Sequence, residues 1–393
     1  MHETNRPPRS IDLEITEFCN FRCRMCPHSI IGNDCSFHMA PTALERLLSV
    51  LPDVSTIQLQ GDGEPLMHPE FAAIIKSIAK KGPKLILTTN LSLLDEGVLN
   101  LFDEYFKQII VSCDASSKEL YESIRRGGDY LKFLNNMERL TKHLSSDKIA
   151  LNCVLMRQNI QNAKEMVLFA HGHGVRNLVF SDILTMPELK NEADSLSLYP
   201  ILRDESILAA RDKAVQLGIN LSILIEYGST SQIKLDGEDH FSERNRMKEA
   251  EKASRAICFD TKEKSAFAQR YERLHFVKKT VSTEASEYRC KGRCYNLFEK
   301  AYIDVHGNMT ACCFSKTSPV GSLIEEDFFS IWNGSVLRGI RALFDSGRLP
   351  KMCLGCKYAI SVQNNPSLKY RFKIANIDTH FFSDKTFWEN RDI

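Results

Sequence analysis

The sequence predicts an α/β chain, a partial (β/α)6 barrel of TIM type followed by a small cysteine-rich domain. Three observations predict it. Short apolar runs alternate with amphipathic stretches through the first 225 residues. The apolar runs have the length of strands, and the stretches between them have the length of helices. Thirteen cysteines are unevenly placed, three within residues 19–26 and six within 290–356.

Taken in order, strands are expected at 11–15, 56–60, 84–88, 108–112, 150–155 and 177–181. Helices are expected at 41–51, 69–80, 94–102, 130–144 and 162–171. Repeated strand–helix units imply a parallel sheet with helices outside it. Six units are too few for a closed eight-fold barrel and suit one open on one side. The chemistry of such folds lies at the carboxyl ends of the strands. Cys19, residues 61–65, Thr89-Asn90 and residues 112–114 all follow strands directly. Residues 1–225 therefore form the barrel unit. Residues 226–289 are dense in charge (KLDGEDHFSERNRMKEAEK) and read as a helical insertion or linker, or as a lid. Residues 290–393 form the third unit, with a hairpin around His306-Gly307, a helix over 328–343 and a carboxy-terminal tail.

Composition narrows the function. Lys+Arg number 51 and Asp+Glu 50, which gives no electrostatic case for nucleic acid or an anionic membrane as main partner. No apolar run is long enough to span a bilayer. The opening MHETNRPPRS lacks the apolar core of a secretory signal, so a cytoplasmic chain is expected. In that setting the cysteines read as metal ligands rather than disulfides.

The first group is Cys19-Asn-Phe-Arg-Cys23-Arg-Met-Cys26, directly after a strand. Three thiolates on one short loop can hold three irons of a 4Fe–4S cube and leave the fourth iron open to an external chelator. A zinc site is the alternative, with His28 or Cys35 as fourth ligand. Three further segments lie in register: Gly61-Asp62-Gly63-Glu64-Pro65, Thr88-Thr89-Asn90, and Ser112-Cys113-Asp114 with Arg125 or Arg126 downstream.

This series resembles the radical S-adenosylmethionine (SAM) superfamily over roughly residues 10–225. The resemblance implies that Cys19, Cys23 and Cys26 hold a 4Fe–4S cluster whose open iron binds SAM. It implies that residues 61–65 receive the SAM amino group, and that Asn90, Ser112, Asp114 and Arg125 lie around SAM. Met25 stands where relatives often carry an aromatic against the adenine, and a thioether can fill that role. An electron donor such as flavodoxin or ferredoxin is implied as partner.

Downstream, Cys294 and Cys312 bracket Gly307, and Cys353-Leu-Gly-Cys356 follows a Ser330-Ile-Trp332-Asn-Gly segment. This resembles the auxiliary-cluster domain of the SPASM/twitch branch. No cysteine follows Cys356, which favours the shorter twitch form with one auxiliary 4Fe–4S cluster. The resemblance gives Cys294, Cys312, Cys353 and Cys356 as ligands, with Cys290 and Cys313 as replacements for their neighbours. A structural zinc site, and with it a binding module without redox chemistry, is the alternative.

Three outcomes stay open. One is dehydrogenation of a small polar molecule such as a sugar or aminocyclitol. Another is epimerisation with a thiol hydrogen donor, for which Cys113, Cys153 and Cys258 are candidates. The third is peptide modification with an external leader-binding protein; the 18 residues before Cys19 are fewer than the recognition domain that peptide modifiers commonly carry there. Asn152, Arg157 and Ser181, near the ends of strands five and six, are candidate substrate contacts, with Arg157 as anchor or as aid to deprotonating a hydroxyl. His28, His38 and His68 sit on rim loops and are not expected to act as bases.

Overall fold

The computed structural model describes residues 7–34, 36–185, 189–225, 285–289, 294–312 and 319–353. Its main sheet starts with seven parallel strands in sequence order: β1 (Ser10–Leu13), β2 (Thr56–Leu59), β3 (Lys84–Thr89), β4 (Phe106–Ser112), β5 (Ile149–Leu155), β6 (Asn177–Asp182) and β7 (Asn220–Ile223). Between them run α1 (His28–Ile31), α2 (Pro41–Leu48), α3 (Phe71–Ala79), α4 (Glu96–Tyr105), α5 (Lys118–Ile124), α6 (Tyr130–His143), α7 (Ala163–Gly172) and α8 (Pro200–Leu217). The six expected strands are present within a residue or two at most ends.

Successive side chains on a strand point to opposite faces. Ile11 and Leu13, Ile57 and Leu59, Leu85 and Leu87 are wholly buried in the main core against the helices. The alternate residues Asp12, Gln58, Gln60, Thr88, Ser112 and Asn152 line the inner wall. Helix starts are set locally: Asp95 accepts from Val98 N at 2.8 Å, and Asp129 accepts from Lys132 N at 3.0 Å, each a side-chain N-cap.

The sheet exceeds expectation at both edges. Helix α8 and strand β7 form a seventh unit that the apolar spacing does not mark. Arg203 and Asp204 are buried on it as an ion pair 2.7 Å long, which interrupts the apolar spacing. Gly218, in the left-handed region at φ 66°, ends that helix. At the other edge, β9 (Lys300–Ile303) pairs in parallel with β1, Ser10 opposite Lys300 and Leu13 opposite Ile303. The expected hairpin follows, with β10 (Asn308–Thr310) antiparallel to β9, and β11 (Pro319–Ser322) beyond it. Asp304 shapes the turn, its Oδ1 accepting from His306 N at 2.9 Å and Asn308 N at 2.8 Å. Barrel and cysteine-rich domain therefore share one ten-stranded sheet.

Two local expectations are corrected. The helix expected at 328–343 is two helices, Phe328–Trp332 and Ser335–Asp345, broken at Asn333-Gly334. The end of the charged segment expected to be helical is instead β8 (Ala285–Arg289), antiparallel to β12 (Arg348–Pro350). Most of 226–289, the proposed lid included, lies outside the described residues, as does the tail after 353.

Candidate active site

The loop 19–26 leaves β1 and is pinned on both sides. Arg22 N donates to Arg126 O at 2.7 Å and Arg24 N to Ile124 O at 2.8 Å, which ties it to the end of α5. Cys19 N donates to Asn33 Oδ1 at 3.2 Å, and Cys26 N to Cys23 O at 3.0 Å. All three cysteines are half-buried at the rim. Burial pushes the Cys19 thiol up to about 12 and raises Cys23 and Cys26 as well. An iron charge reverses that penalty by stabilising the thiolate. Among the described residues no three His, Cys, Asp or Glu side chains converge on a single-ion site; a cube takes one thiolate per iron, so its ligands stand apart.

Beside Cys23 lies Arg125, with Nη1 at 4.0 Å from Cys23 Sγ and Nη2 at 2.8 Å from Asp114 Oδ2. Arg125 is buried, whereas Arg126 is exposed, so Arg125 is the cation at the cluster loop. Asp114 departs from expectation. Its carboxylate is wholly buried between Arg125 and Val154 N, the latter donating at 2.8 Å. It positions Arg125 rather than reaching the rim.

The 61–65 loop approaches β1 too closely for side chains. A Cβ on Gly61 would overlap the Glu14 carboxylate, and one on Gly63 would overlap the Thr16 carbonyl oxygen. Asp62 O lies 4.0 Å from Cys26 Sγ. Pro65 is buried at the start of a short 3-10 turn, Pro65–Met67. Glu64 faces inward: Oε1 accepts from Thr89 Oγ1 at 2.7 Å and Leu66 N at 3.3 Å, and Oε2 from Asn90 N at 2.7 Å. Burial lifts its carboxyl to about 7, against the pull of these donors. Its side chain thus holds the 89–90 turn, and the loop's backbone, at Asp62 O, is what lies against Cys26. Asn90 in turn donates to Asn20 Oδ1 at 3.0 Å, joining this turn to the cysteine loop.

Met25 packs against a small second apolar cluster of Ile124, Met156 and Ile183. These three had no motif to mark them. Ser112 and Asn152 stay on the inner wall, and Ser181 Oγ donates to Asn152 Oδ1 at 3.0 Å. Cys153 does not face the cavity as expected of a hydrogen donor. It lies between Asn152 and Val154, so the alternation turns it outward, and it is wholly buried in the helix-facing core. Cys113 is likewise a core thiol, its Sγ 3.3 Å from Ala115 O. Cys153→Ala is expected to leave the product unchanged and to cost about 1 kcal/mol of stability for the small cavity; product analysis with chemical denaturation checks both.

Arg157 is neither a surface charge nor an open anchor. It is buried, its Nε 3.9 Å from Asp194 Oδ1. Asp194 also receives Arg24, Nη2 to Oδ2 at 2.9 Å, from within the cysteine loop. This buried Asp194 bridge went unmarked in the sequence, since no motif contains it. His28 Nε2 lies 3.3 Å from Cys19 O, and His38 stacks on Phe18 with centroids 4.5 Å apart. Cys258 lies outside the described residues.

In the second cysteine group, Cys294, Cys312 and Cys353 are partly buried, and Asn296 Nδ2 donates towards Cys312 Sγ at 3.6 Å. Cys290, Cys313 and Cys356 lie outside the described residues. Arg341, unmarked in the sequence, braces this region. It lies over the Trp332 ring at 4.1 Å and donates to Leu297 O and Trp332 O, each at 2.7 Å.

Residues 13–170 match the family model of the radical SAM superfamily, and residues 294–357 match that of SPASM, an iron-sulfur cluster-binding domain. The chain therefore carries a radical SAM domain followed by a SPASM domain, and the pair implies SAM and two 4Fe–4S clusters. This replaces the zinc-stabilised binding module as a reading of the cysteines. A GTP 3',8-cyclase from Rhizobium etli is 31% identical over 199 residues, 48% of this chain and 54% of that protein. One from Staphylococcus carnosus is 36% identical over 129 residues, 30% of this chain and 38% of that protein. The chain spans about half the length of the first of these curated relatives. Streptococcus suis SuiB bound to S-adenosylmethionine superposes with a TM-score of 0.59 at 14% identity, covering 86% of this chain and 68% of that one. The structure of anSMEcpe with bound AdoMet gives 0.57 at 16% identity, covering 90% and 87%. Both share the fold. Among the described residues no helix is long and apolar enough to cross a membrane.

Proposed function

We propose that this radical SAM enzyme removes a hydrogen atom from carbon of a small, polar, sugar- or aminocyclitol-like substrate, and that the outcome is dehydrogenation. The observation that carries the substrate class is the inner wall, where Asp12, Gln58, Gln60, Thr88, Ser112 and Asn152 stand among Ile86, Ile110, Val154 and Val179. The polar members of such a wall offer hydrogen bonds to hydroxyl and amino groups. Dehydrogenation is favoured over epimerisation because the two candidate donors among the described residues, Cys113 and Cys153, are both turned into the core.

The residues fit the cofactors. Three thiols lie on one loop, a buried guanidinium stands beside Cys23, and the 61–65 backbone lies against Cys26. Cys19, Cys23 and Cys26 hold the SAM-binding cluster. The backbone of Gly61, Asp62 and Gly63 takes the SAM amino group, with Glu64, Pro65 and Asn90 fixing that loop. Arg125 supplies positive charge for the SAM carboxylate, and Met25 with Ile124, Met156 and Ile183 packs on the adenine. Bound there, cluster and SAM supply a 5′-deoxyadenosyl radical when an electron arrives from a reduced flavodoxin or ferredoxin. Cys294, Cys312, Cys353 and Cys356 hold one auxiliary cluster of twitch type, saturated by protein and suited to removing the substrate's electron.

The test is isotopic. Reconstituted protein is given SAM, reductant and perdeuterated aminocyclitols or sugars, with a deuterated peptide as the other arm. Deuterium entering 5′-deoxyadenosine from a sugar or cyclitol, with an oxidised product, supports the reading. Transfer from the peptide alone would overturn it.

A further inference from the structure

The SPASM domain reaches the SAM-binding loop through two buried contacts that cross β1. Strand β9 belongs to that domain, yet lies in register beside β1. Its inward residues Lys300 and Tyr302 each contact an acid, Asp12 on β1 and Glu14 just after it. Lys300 Nζ is 2.7 Å from Asp12 Oδ2, and the same oxygen accepts from Gln60 Nε2 at 2.7 Å. Tyr302 Oη donates to Glu14 Oε2 at 3.3 Å, while Glu14 Oε1 accepts from Asp62 N. Asp12, Glu14 and Tyr302 are all buried. The two lines end on Gln60 and Asp62, on either side of Gly61, whose missing side chain leaves room for the Glu14 carboxylate.

We infer that Tyr302 and Lys300 are positioning residues for SAM: the auxiliary-cluster domain sets the backbone of the SAM-binding loop through Glu14 and Asp12. The inference rests on the reading of residues 61–65 as the site of the SAM amino group. The physical reason is directional. A carboxylate held by a phenol on one side presents its other oxygen to Asp62 N in one orientation, and Asp62 O is the loop atom nearest Cys26. Without the phenol the carboxylate loses one of its restraints, and the loop samples positions in which its backbone no longer matches the ligand. Hydrogen bonds to a charged group in a buried site are strong enough for this to register in affinity.

The test uses the full chain with both clusters reconstituted, comparing unsubstituted protein with Tyr302→Phe and Lys300→Met. SAM cleavage is measured against SAM concentration, together with iron content and the perturbation of the reduced cluster's EPR spectrum by SAM. Tyr302→Phe removes one oxygen and keeps the ring in place. It is expected to raise KM for SAM roughly tenfold while kcat at saturating SAM and iron content stay near those of the unsubstituted protein. Lys300→Met is expected to move KM in the same direction. A merely structural role would lower iron content and kcat together and leave KM in place, which would overturn the inference. An unchanged KM in Tyr302→Phe would overturn it too, while leaving the 61–65 site standing. Failure of the unsubstituted protein to show a SAM-perturbed spectrum would instead remove the site itself, and the inference with it.

Discussion

Cys19→Ala is expected to abolish SAM cleavage and to lower iron from about eight to about four per chain, since each 4Fe–4S cluster carries four irons. The effect is this large because the described residues around the loop offer no substitute ligand in place. His28 is buried with its Nε2 against the Cys19 carbonyl, and burial lowers its pKa. Cys113 and Cys153 lie on the helix-facing side of the sheet. The fold itself should survive, because Cys19 contributes no packing to the main core and its loop is held by backbone bonds to α5. Retention of four irons with full loss of 5′-deoxyadenosine is the expected pair of readings. Retained cleavage would show that another residue ligates the cluster.

Arg125→Met is expected to destabilise the protein by about 3–5 kcal/mol, because it strands a buried carboxylate without its counter-charge. Asp114 is wholly inaccessible, and desolvation already raises its pKa even with Arg125 in place. The substitution removes both the 2.8 Å ion pair and the cation 4.0 Å from Cys23 Sγ. The reduction potential of the SAM-binding cluster should therefore fall, and SAM binding should weaken. Asp114→Asn in the same chain keeps an acceptor for Val154 N and is expected to recover part of the lost stability. Denaturant unfolding of the two variants checks this. A double variant no more stable than Arg125→Met would contradict the ion-pair account.

The barrel was legible because its strands carry apolar residues at every second position, with long buried runs facing the helices. The same alternation held information the motif reading did not use. In SIDLEI, Asp12 and Glu14 interleave with Ile11, Leu13 and Ile15, which marks two acids for the inner wall. Once Asn152 is assigned to the cavity, Cys153 must face away. Motifs located the site but did not fix the orientation of every member. Asp114 and Glu64 sit in the expected segments, yet each carboxylate turns to internal donors, because a buried charge binds the nearest N–H or guanidinium. What sequence could not show depends on distant pairing. The β1–β9 contact joins residues almost 300 positions apart, and the Arg24–Asp194–Arg157 bridge joins three elements with no common motif. Helix α8 was hidden by the buried Arg203–Asp204 pair, which breaks the apolar period.

The central claim is that the loop 19–26 and the segments around it form a working SAM site. Its most direct measurement is anaerobic incubation of the reconstituted full chain with SAM and dithionite, followed by chromatography for 5′-deoxyadenosine. The account predicts 5′-deoxyadenosine from the unsubstituted protein and none from Cys19→Ala, Cys23→Ala or Cys26→Ala. An iron-loaded, unsubstituted protein that leaves SAM intact would contradict it.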